Sequence, residues 1–224
     1  MPASKKETQT ISVLIVDDHP AMREGLAACI NRQPDMSVCG DAGDARTAMR
    51  LLKKQEPGVV ILDLSLRESD GLDLLRSMLF IKPKLNVLVC SMHPETPYGV
   101  RTIQNGARGY INKQSETSEI VDAIRTVAAG ETYMSELVRE SLQPKASGTN
   151  RGTKTRDGVD QLSDRELQVF QHIGQGLNLD EIAKRIRLSR HTIETYRQRI
   201  KKKLNIKSNN ELICIASKWT LDMQ

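Results

Sequence analysis

Across the first 130 residues, short apolar runs alternate five times with longer stretches of helical period. The runs fall at 12–16, 36–39, 59–62, 87–90 and 109–111, and Val13-Leu14-Ile15-Val16 and Val59-Val60-Ile61-Leu62 are apolar at every position. A strand exposed on one face alternates apolar with polar residues, so unbroken runs bounded by Pro, Gly, Asp or Asn indicate strands buried on both faces. Between them, 21–31, 45–54, 72–80, 97–105 and 116–129 read as amphipathic helices. In the first of these, Met22, Leu26, Ala27 and Ile30 share one face. Five strands alternating with five helices predict a doubly wound parallel sheet with helices on both faces. Ligands of such sheets bind at the carboxyl ends of the strands.

Those strand ends carry chemistry. The first strand runs into Asp17-Asp18, the third into Asp63, the fourth into Ser91 and the fifth into Asn112-Lys113. In the order 2-1-3-4-5, three carboxylates, a hydroxyl and an ammonium meet on one rim. Clustered carboxylates repel, and each is pushed toward protonation unless a cation neutralises them. A hard divalent ion with oxygen ligands, Mg²⁺ above all, meets that need through carboxylates, waters and phosphate oxygens. The set suits a phosphoryl group carried on a carboxylate nucleophile, with Lys113 and Ser91 on its oxygens. Taken singly, each residue has a plainer reading: Asp63 and Asp17-Asp18 as helix caps, Lys113 as a solvated side chain. His19 and His93, near the rim, read as ordinary loop residues before metal ligands or acids, and Cys39 and Cys90 as strand packing.

Residues 143–152 are rich in Gly, Pro, Ser, Thr and cations, without apolar period. They indicate a linker, so the expected organisation is a first domain over 11–132, a linker over 133–160 and a second domain over 161–224. Charge divides along the same line. Residues 141–224 hold 16 Lys and Arg against 9 Asp and Glu, and residues 1–140 hold 17 against 19. A basic second unit suits a polyanion partner, although a solvated surface would carry the same charge. No apolar run approaches the roughly 20 residues of a membrane span. The polar start, and four cysteines without C-x-x-C spacing, are those of a cytoplasmic protein with neither disulfides nor zinc. Aromatics at 3% argue against base-stacking RNA modules.

In the second unit the period is helical throughout, and Ser163-x-x-Glu166 and Ser208-x-x-Glu211 each match a capping box. A short helix over 179–186, a turn at Arg187-Leu188-Ser189 and a helix from Ser189 to about Asn205 make a helix-turn-helix candidate within an all-α unit of four helices. Ile193, Tyr196, Ile200 and Leu204 form the inward stripe of the third helix. Arg190, His191, Glu194, Thr195, Gln198, Arg199, Lys201 and Lys202 lie away from it, a pattern that fits a major groove or a merely solvated face.

Both units resemble known families. Val13-Leu14-Ile15-Val16-Asp17-Asp18-His19-Pro20, Val60-Ile61-Leu62-Asp63-Leu64 with Asp70-Gly71-Leu72, and Gly106-Ala107-Arg108-Gly109-Tyr110-Ile111-Asn112-Lys113 resemble the receiver domain of two-component response regulators of the NarL/FixJ subfamily, a CheY-like fold. The resemblance implies Asp63 as phosphoacceptor and Asp18 as a direct Mg²⁺ ligand. Asp17 would act through water, and the Ser65 carbonyl would complete the metal shell. It further implies Ser91 and Tyr110 as a switch pair and Lys113 as the phosphate partner. Arg67 stands where such receivers usually carry proline, a difference that bears on loop stiffness and phosphoryl lifetime.

Leu162-Ser163-x-Arg165-Glu166, Glu181-Ile182-Ala183, Leu188-Ser189-x-x-Thr192-Ile193 and Ile200-Lys201-x-Lys203-Leu204 resemble the LuxR-type DNA-binding domain over about residues 160–218. Glu194 and Tyr196 replace the family's usual Lys and His. Glu194 would accept from a cytosine amine and Gln198 would pair with adenine, so DNA binding is implied but not the usual operator. The last helix resembles the family's dimer-forming helix, with Ile213, Ala216 and Ser217 as contacts and Trp219 equally a core residue.

The expected function is therefore a transcription regulator, phosphorylated on Asp63 by a sensor histidine kinase with Mg²⁺. It would bind double-stranded DNA as a homodimer, with RNA polymerase as a further partner and no catalytic turnover. Two rivals are a phosphohydrolase with an aspartate nucleophile and a constitutive DNA binder with an inert receiver. The first would need a second acid for the leaving group and a cap over the substrate. The second is hard to reconcile with an intact acid trio beside Ser91 and Lys113.

Overall fold

The computed structural model describes residues 10–66, 70–143, 156–159, 161–186 and 188–222. The chain forms two compact units, 1–143 and 144–224.

The first unit is a five-stranded parallel sheet in the order β2-β1-β3-β4-β5, with strands Ile11–Val16 (β1), Met36–Ala42 (β2), Val59–Leu62 (β3), Val87–Ser91 (β4) and Gly109–Asn112 (β5). The helices Pro20–Asn31 (α1), Ala45–Lys54 (α2), Gly71–Ile81 (α3), Glu95–Gln104 (α4) and Thr117–Ala128 (α5) alternate with them. All four residues of β3 and all five of β4 are buried, as their unbroken apolar runs require. One layer of the core joins Val13, Ile15, Ile61, Leu88 and Ile111 to Leu26, Ile30, Ile120, Ile124 and Val127. Side-chain caps fix α2, where Asp44 accepts from the Thr47 amide, and α3, where Asp70 accepts from the Leu72 amide. β2 runs three residues past the predicted end at Cys39, because β1 pairs with it as far as Val16 opposite Ala42, across a register shift between Val13 and Leu14.

The expected linker over 133–160 needs correction at its start. Tyr133 hydrogen-bonds along the free edge of β5: its carbonyl accepts from the Tyr110 amide at 2.9 Å and its amide donates to the Arg108 carbonyl at 2.9 Å. Ser135 then caps a seven-residue helix, Glu136–Leu142 (α6), whose Val138 is fully buried. Residues 133–142 therefore belong to the first unit. Residues 144–155 of the expected linker lie outside the described residues.

The second unit contains a four-residue turn of helix, Arg156–Val159 (α7), and the helices Asp164–Gly174 (α8), Leu179–Arg185 (α9), Arg190–Lys203 (α10) and Asn209–Asp222 (α11). Ser163 and Glu166 form a complete capping box on α8, and Asn178 with Glu181 forms another on α9 that the sequence reading passed over. The box expected at Ser208 is half made. The Glu211 amide donates to Ser208 Oγ, but the Glu211 carboxylate accepts from the Lys207 amide. α8 and α11 cross closely at Gly174, where an added Cβ would run into the Ala216 carbonyl oxygen. Phe170 and Trp219 meet edge to face with centroids 5.8 Å apart, so Trp219 belongs to the core.

Candidate functional site

Main-chain bonds tie neighbouring strand ends together. The Asp63 amide donates to the Val16 carbonyl, Asp17 donates to Ala42, and Lys113 donates to Ser91. Each chemical side chain therefore leaves a backbone already fixed by its neighbouring strand. Lys113, with a side chain 7% exposed, reaches between two carboxylates, placing Nζ 2.6 Å from Asp17 Oδ2 and 2.8 Å from Asp63 Oδ2. The predicted convergence of 17, 63 and 113 is present.

Burial pushes the Asp63 carboxyl above the ordinary range; the Lys113 ammonium opposes that shift and the Asp17 carboxylate adds to it. For Lys113 burial works against the charge, but Asp63 and Asp17 together hold its pKa above the usual value. Besides Lys113, a backbone hydrogen bond from Ser65 favours the ionised Asp63 carboxyl, which is 1% exposed. Ligand atoms of Asp17, Asp18, His19 and Asp63 all lie within 4.8 Å of one another. Three of the four donors are carboxylates, a set suited to a hard cation.

His19, in the loop before α1 and half exposed, places Nδ1 2.7 Å from Asp18 Oδ1 and 3.2 Å from Asp17 Oδ1. His93 is equally engaged. Its Nε2 meets Ser65 Oγ at 3.0 Å and its carbonyl accepts the Tyr110 hydroxyl at 2.8 Å. Tyr110 is buried, and that burial raises its phenol pKa. Ser91 is fully buried and accepts weakly from the His93 amide at 3.4 Å. Cys90 packs in β4, where burial pushes its thiol up to about 12, so it is a core residue and not a nucleophile. Arg67 lies outside the described residues.

In the second unit, α9 and α10 are joined by a tight turn in which the Leu188 amide donates to the Ala183 carbonyl and Ser189 caps α10 through the Thr192 amide. Ile193 and Ile200 are buried, whereas Tyr196 and Leu204 are half-buried, so the inward stripe is narrower than predicted. Arg190, His191, Gln198, Arg199 and Lys202 are exposed, and Thr195 and Lys201 are half-buried. Glu194 is held by Arg197 at 2.7 Å and Gln198 at 2.8 Å, and these partners lower its carboxyl pKa, with the Gln198 bond foremost. Arg190 pairs with Asp180 of α9 at 2.8 Å, and Thr195 donates to the His191 carbonyl.

On α11 the expected contact set divides. Ile213 is 48% exposed, but Ala216 is fully buried and Ser217 donates to the Gly174 carbonyl at 3.2 Å. Ala216 therefore faces α8 and cannot reach a second chain, because the crossing at Gly174 consumes that side of the helix. Leu221, 71% exposed, lies eight residues beyond Ile213 on the outward side. Among the described residues, no helix is long and apolar enough to cross a membrane.

A doubly wound domain with acids and a lysine at its strand ends precedes a helix-turn-helix unit in this chain. Residues 13–125 match the response regulator receiver domain, and residues 160–216 match the bacterial regulatory proteins of the luxR family. The transcriptional regulatory protein MctR of Rhizobium johnstonii is 34% identical over 94% of this chain and 94% of its own. The response regulator GacA of Pseudomonas aeruginosa is 33% identical over 92% of this chain and 95% of its own. A solved LuxR-family two-component response regulator from Aurantimonas sp. superposes with a TM-score of 0.56 at 32% identity, covering 60% of this chain and 96% of that one. The chain belongs to the two-component response regulators with a LuxR-type DNA-binding domain.

Proposed function

We propose that Asp63 accepts a phosphoryl group from a sensor histidine kinase and that the phosphorylated chain binds double-stranded DNA through α10 as a homodimer. The observation that carries this reading is the Asp63 carboxylate itself: almost wholly buried, it shares the Lys113 ammonium with Asp17 at 2.8 and 2.6 Å, beside the carboxylate of Asp18. In the transfer, the phosphorus–nitrogen bond of a phosphohistidine breaks as an Asp63 oxygen bonds to phosphorus, and the released imidazole takes a proton from water. Lys113 holds the transferred oxygens electrostatically, and the Ser91 hydroxyl donates to one of them. Asp17, Asp18, Asp63 and the Ser65 carbonyl would hold Mg²⁺, which offsets the charge gathered on the phosphoryl oxygens. The modified Asp63 carries close to two negative charges, enough to draw Ser91 and Lys113 toward it and turn Tyr110.

On DNA, Arg199 and Lys202 would lie on phosphates, with Arg190, His191, Thr195, Gln198 and Glu194 toward base edges. Two chains on one operator raise each other's effective concentration, so a weak monomer contact becomes a tight dimer contact. Ile213 and Ser217 remain the α11 residues proposed for that dimer. RNA polymerase is a further proposed partner, and the cytoplasm the proposed compartment. The receiver is proposed to take one phosphoryl group per chain without turning over phosphomonoesters. Incubation with a labelled small acyl phosphate and Mg²⁺ tests the assignment: wild type should take up label and Asp63→Asn none. Label retained on Asp63→Asn would overturn it.

A further inference from the structure

His93, in the turn between β4 and α4, touches each part of the site that is expected to move. Its Nε2 reaches Ser65 Oγ at 3.0 Å, two residues beyond Asp63. Its amide faces Ser91 Oγ at 3.4 Å, and its carbonyl accepts the Tyr110 hydroxyl at 2.8 Å. Its ring stacks on Tyr98 of α4, with centroids 4.2 Å apart and planes 13° from parallel. The contacts then continue outward. Gly99 follows Tyr98, and a Cβ there would stand 2.8 Å from Val138 Cγ2 of α6 and 3.4 Å from Tyr110 Cγ. The Tyr110 amide donates to Tyr133, at the start of the segment that leads into α6. Packed and hydrogen-bonded groups thus run without a gap from the loop after Asp63 to the last helix before the second unit.

Packing alone would explain the stacked rings. It does not explain a ring nitrogen aimed at Ser65 while the main chain of the same residue holds both Ser91 and Tyr110. We propose that His93 is a positioning residue that couples the state of Asp63 to the docking of α6 on α4. The proposal rests on Asp63 being the phosphoacceptor. When the Ser91 hydroxyl turns toward a phosphoryl group it leaves the His93 amide. The turn at 91–93 then has two discrete arrangements rather than a continuum, because its surroundings are close-packed. The Tyr110 hydroxyl and the Tyr98 ring follow His93, and α6 loosens from Gly99.

The test uses the full chain with a small acyl phosphate and Mg²⁺, following the half-life of label on Asp63 and amide hydrogen exchange over residues 136–142. In wild type the donor should raise exchange in α6. His93→Phe keeps the ring stack and the backbone but loses the Ser65 bond. It should shorten the half-life roughly threefold to tenfold, the worth of one hydrogen bond, and blunt the α6 response. His93→Gln restores a donor to Ser65 without the aromatic ring, and should recover the half-life but not the α6 response. Ser65→Ala should match His93→Phe in half-life, and the double variant should go no further, because both remove the same bond. If wild type takes up no label, the phosphoacceptor assignment falls and this inference with it. If every variant labels and decays like wild type with an unchanged α6 response, Asp63 stands as acceptor and the coupling through His93 is refuted.

Discussion

At the strand ends of the first unit, Lys113 and the carboxylates of Asp17 and Asp63 meet within 2.8 Å and almost out of water. Along α10, Arg199 and Lys202 stand exposed, and Lys201 only half-buried. Both regions carry charged side chains, yet the physics differs. In the buried cluster each charge exists because its neighbours offset its desolvation, so removing one changes the state of all. On the helix, exposed cations such as Arg199 and Lys202 are hydrated independently, so their worth appears only against a polyanion and fades with salt. A phosphoryl switch needs the first arrangement and groove binding tolerates the second.

The largest expected break comes from Lys113→Met. It leaves Asp17 and Asp63 facing each other without their cation and should cost about 3–5 kcal/mol at neutral pH, read as a fall in the denaturant midpoint of the first unit. The pH dependence supplies the sign. Because the folded-state pKa of Lys113 is raised above its ordinary value of 10.5, its contribution is complete below that value and is lost as pH rises through the raised one. A wild-type midpoint that stays flat through that alkaline range while Lys113→Met matches it throughout would erase the contrast between the regions.

Lys203 tests the middle ground. It is a cation of α10, yet it reaches back 2.5 Å to the Glu166 carboxylate, which is 4% exposed. Lys203→Ala should cost about 1–3 kcal/mol, in the range of a hydrogen bond to a charged group, and so behave as a weaker version of the buried cluster. Loss of DNA affinity with no loss of stability would move it to the solvated class. The smallest effect belongs to Lys202→Ala, which should leave stability within about 0.5 kcal/mol. Its signature is a DNA affinity whose dependence on salt is shallower by about one unit of log–log slope. A stability loss as large as that of Lys203→Ala would show the exposed face to be structural.

What could be read from the chain follows the same division. Strands buried on both faces announce themselves as unbroken apolar runs, so β3 is placed to the residue, and the alternation predicts a parallel sheet, whereas its order entered only as the arrangement in which the strand ends meet. The carboxylates at 17, 18 and 63 and the lysine at 113 were legible because strand ends in a doubly wound sheet converge. His93 was not, since nothing local distinguishes a loop histidine on water from one whose ring meets Ser65, 28 residues away. The seven residues of α6 were too few to show a period, and only Val138 is buried against the sheet domain. On α11, Ile213 and Ala216 are both apolar, and periodicity alone could not say that Ala216 faces Gly174 while Ile213 faces solvent.

The bridge that Tyr133 lays along β5 has a practical consequence for anyone dissecting the chain. Cutting after residue 130 would strip the Tyr110 amide and the Arg108 carbonyl of their bonds to Tyr133 and bare a rim that invites sticking between copies. Ending the fragment at residue 143 keeps that rim sealed by the molecule's own backbone.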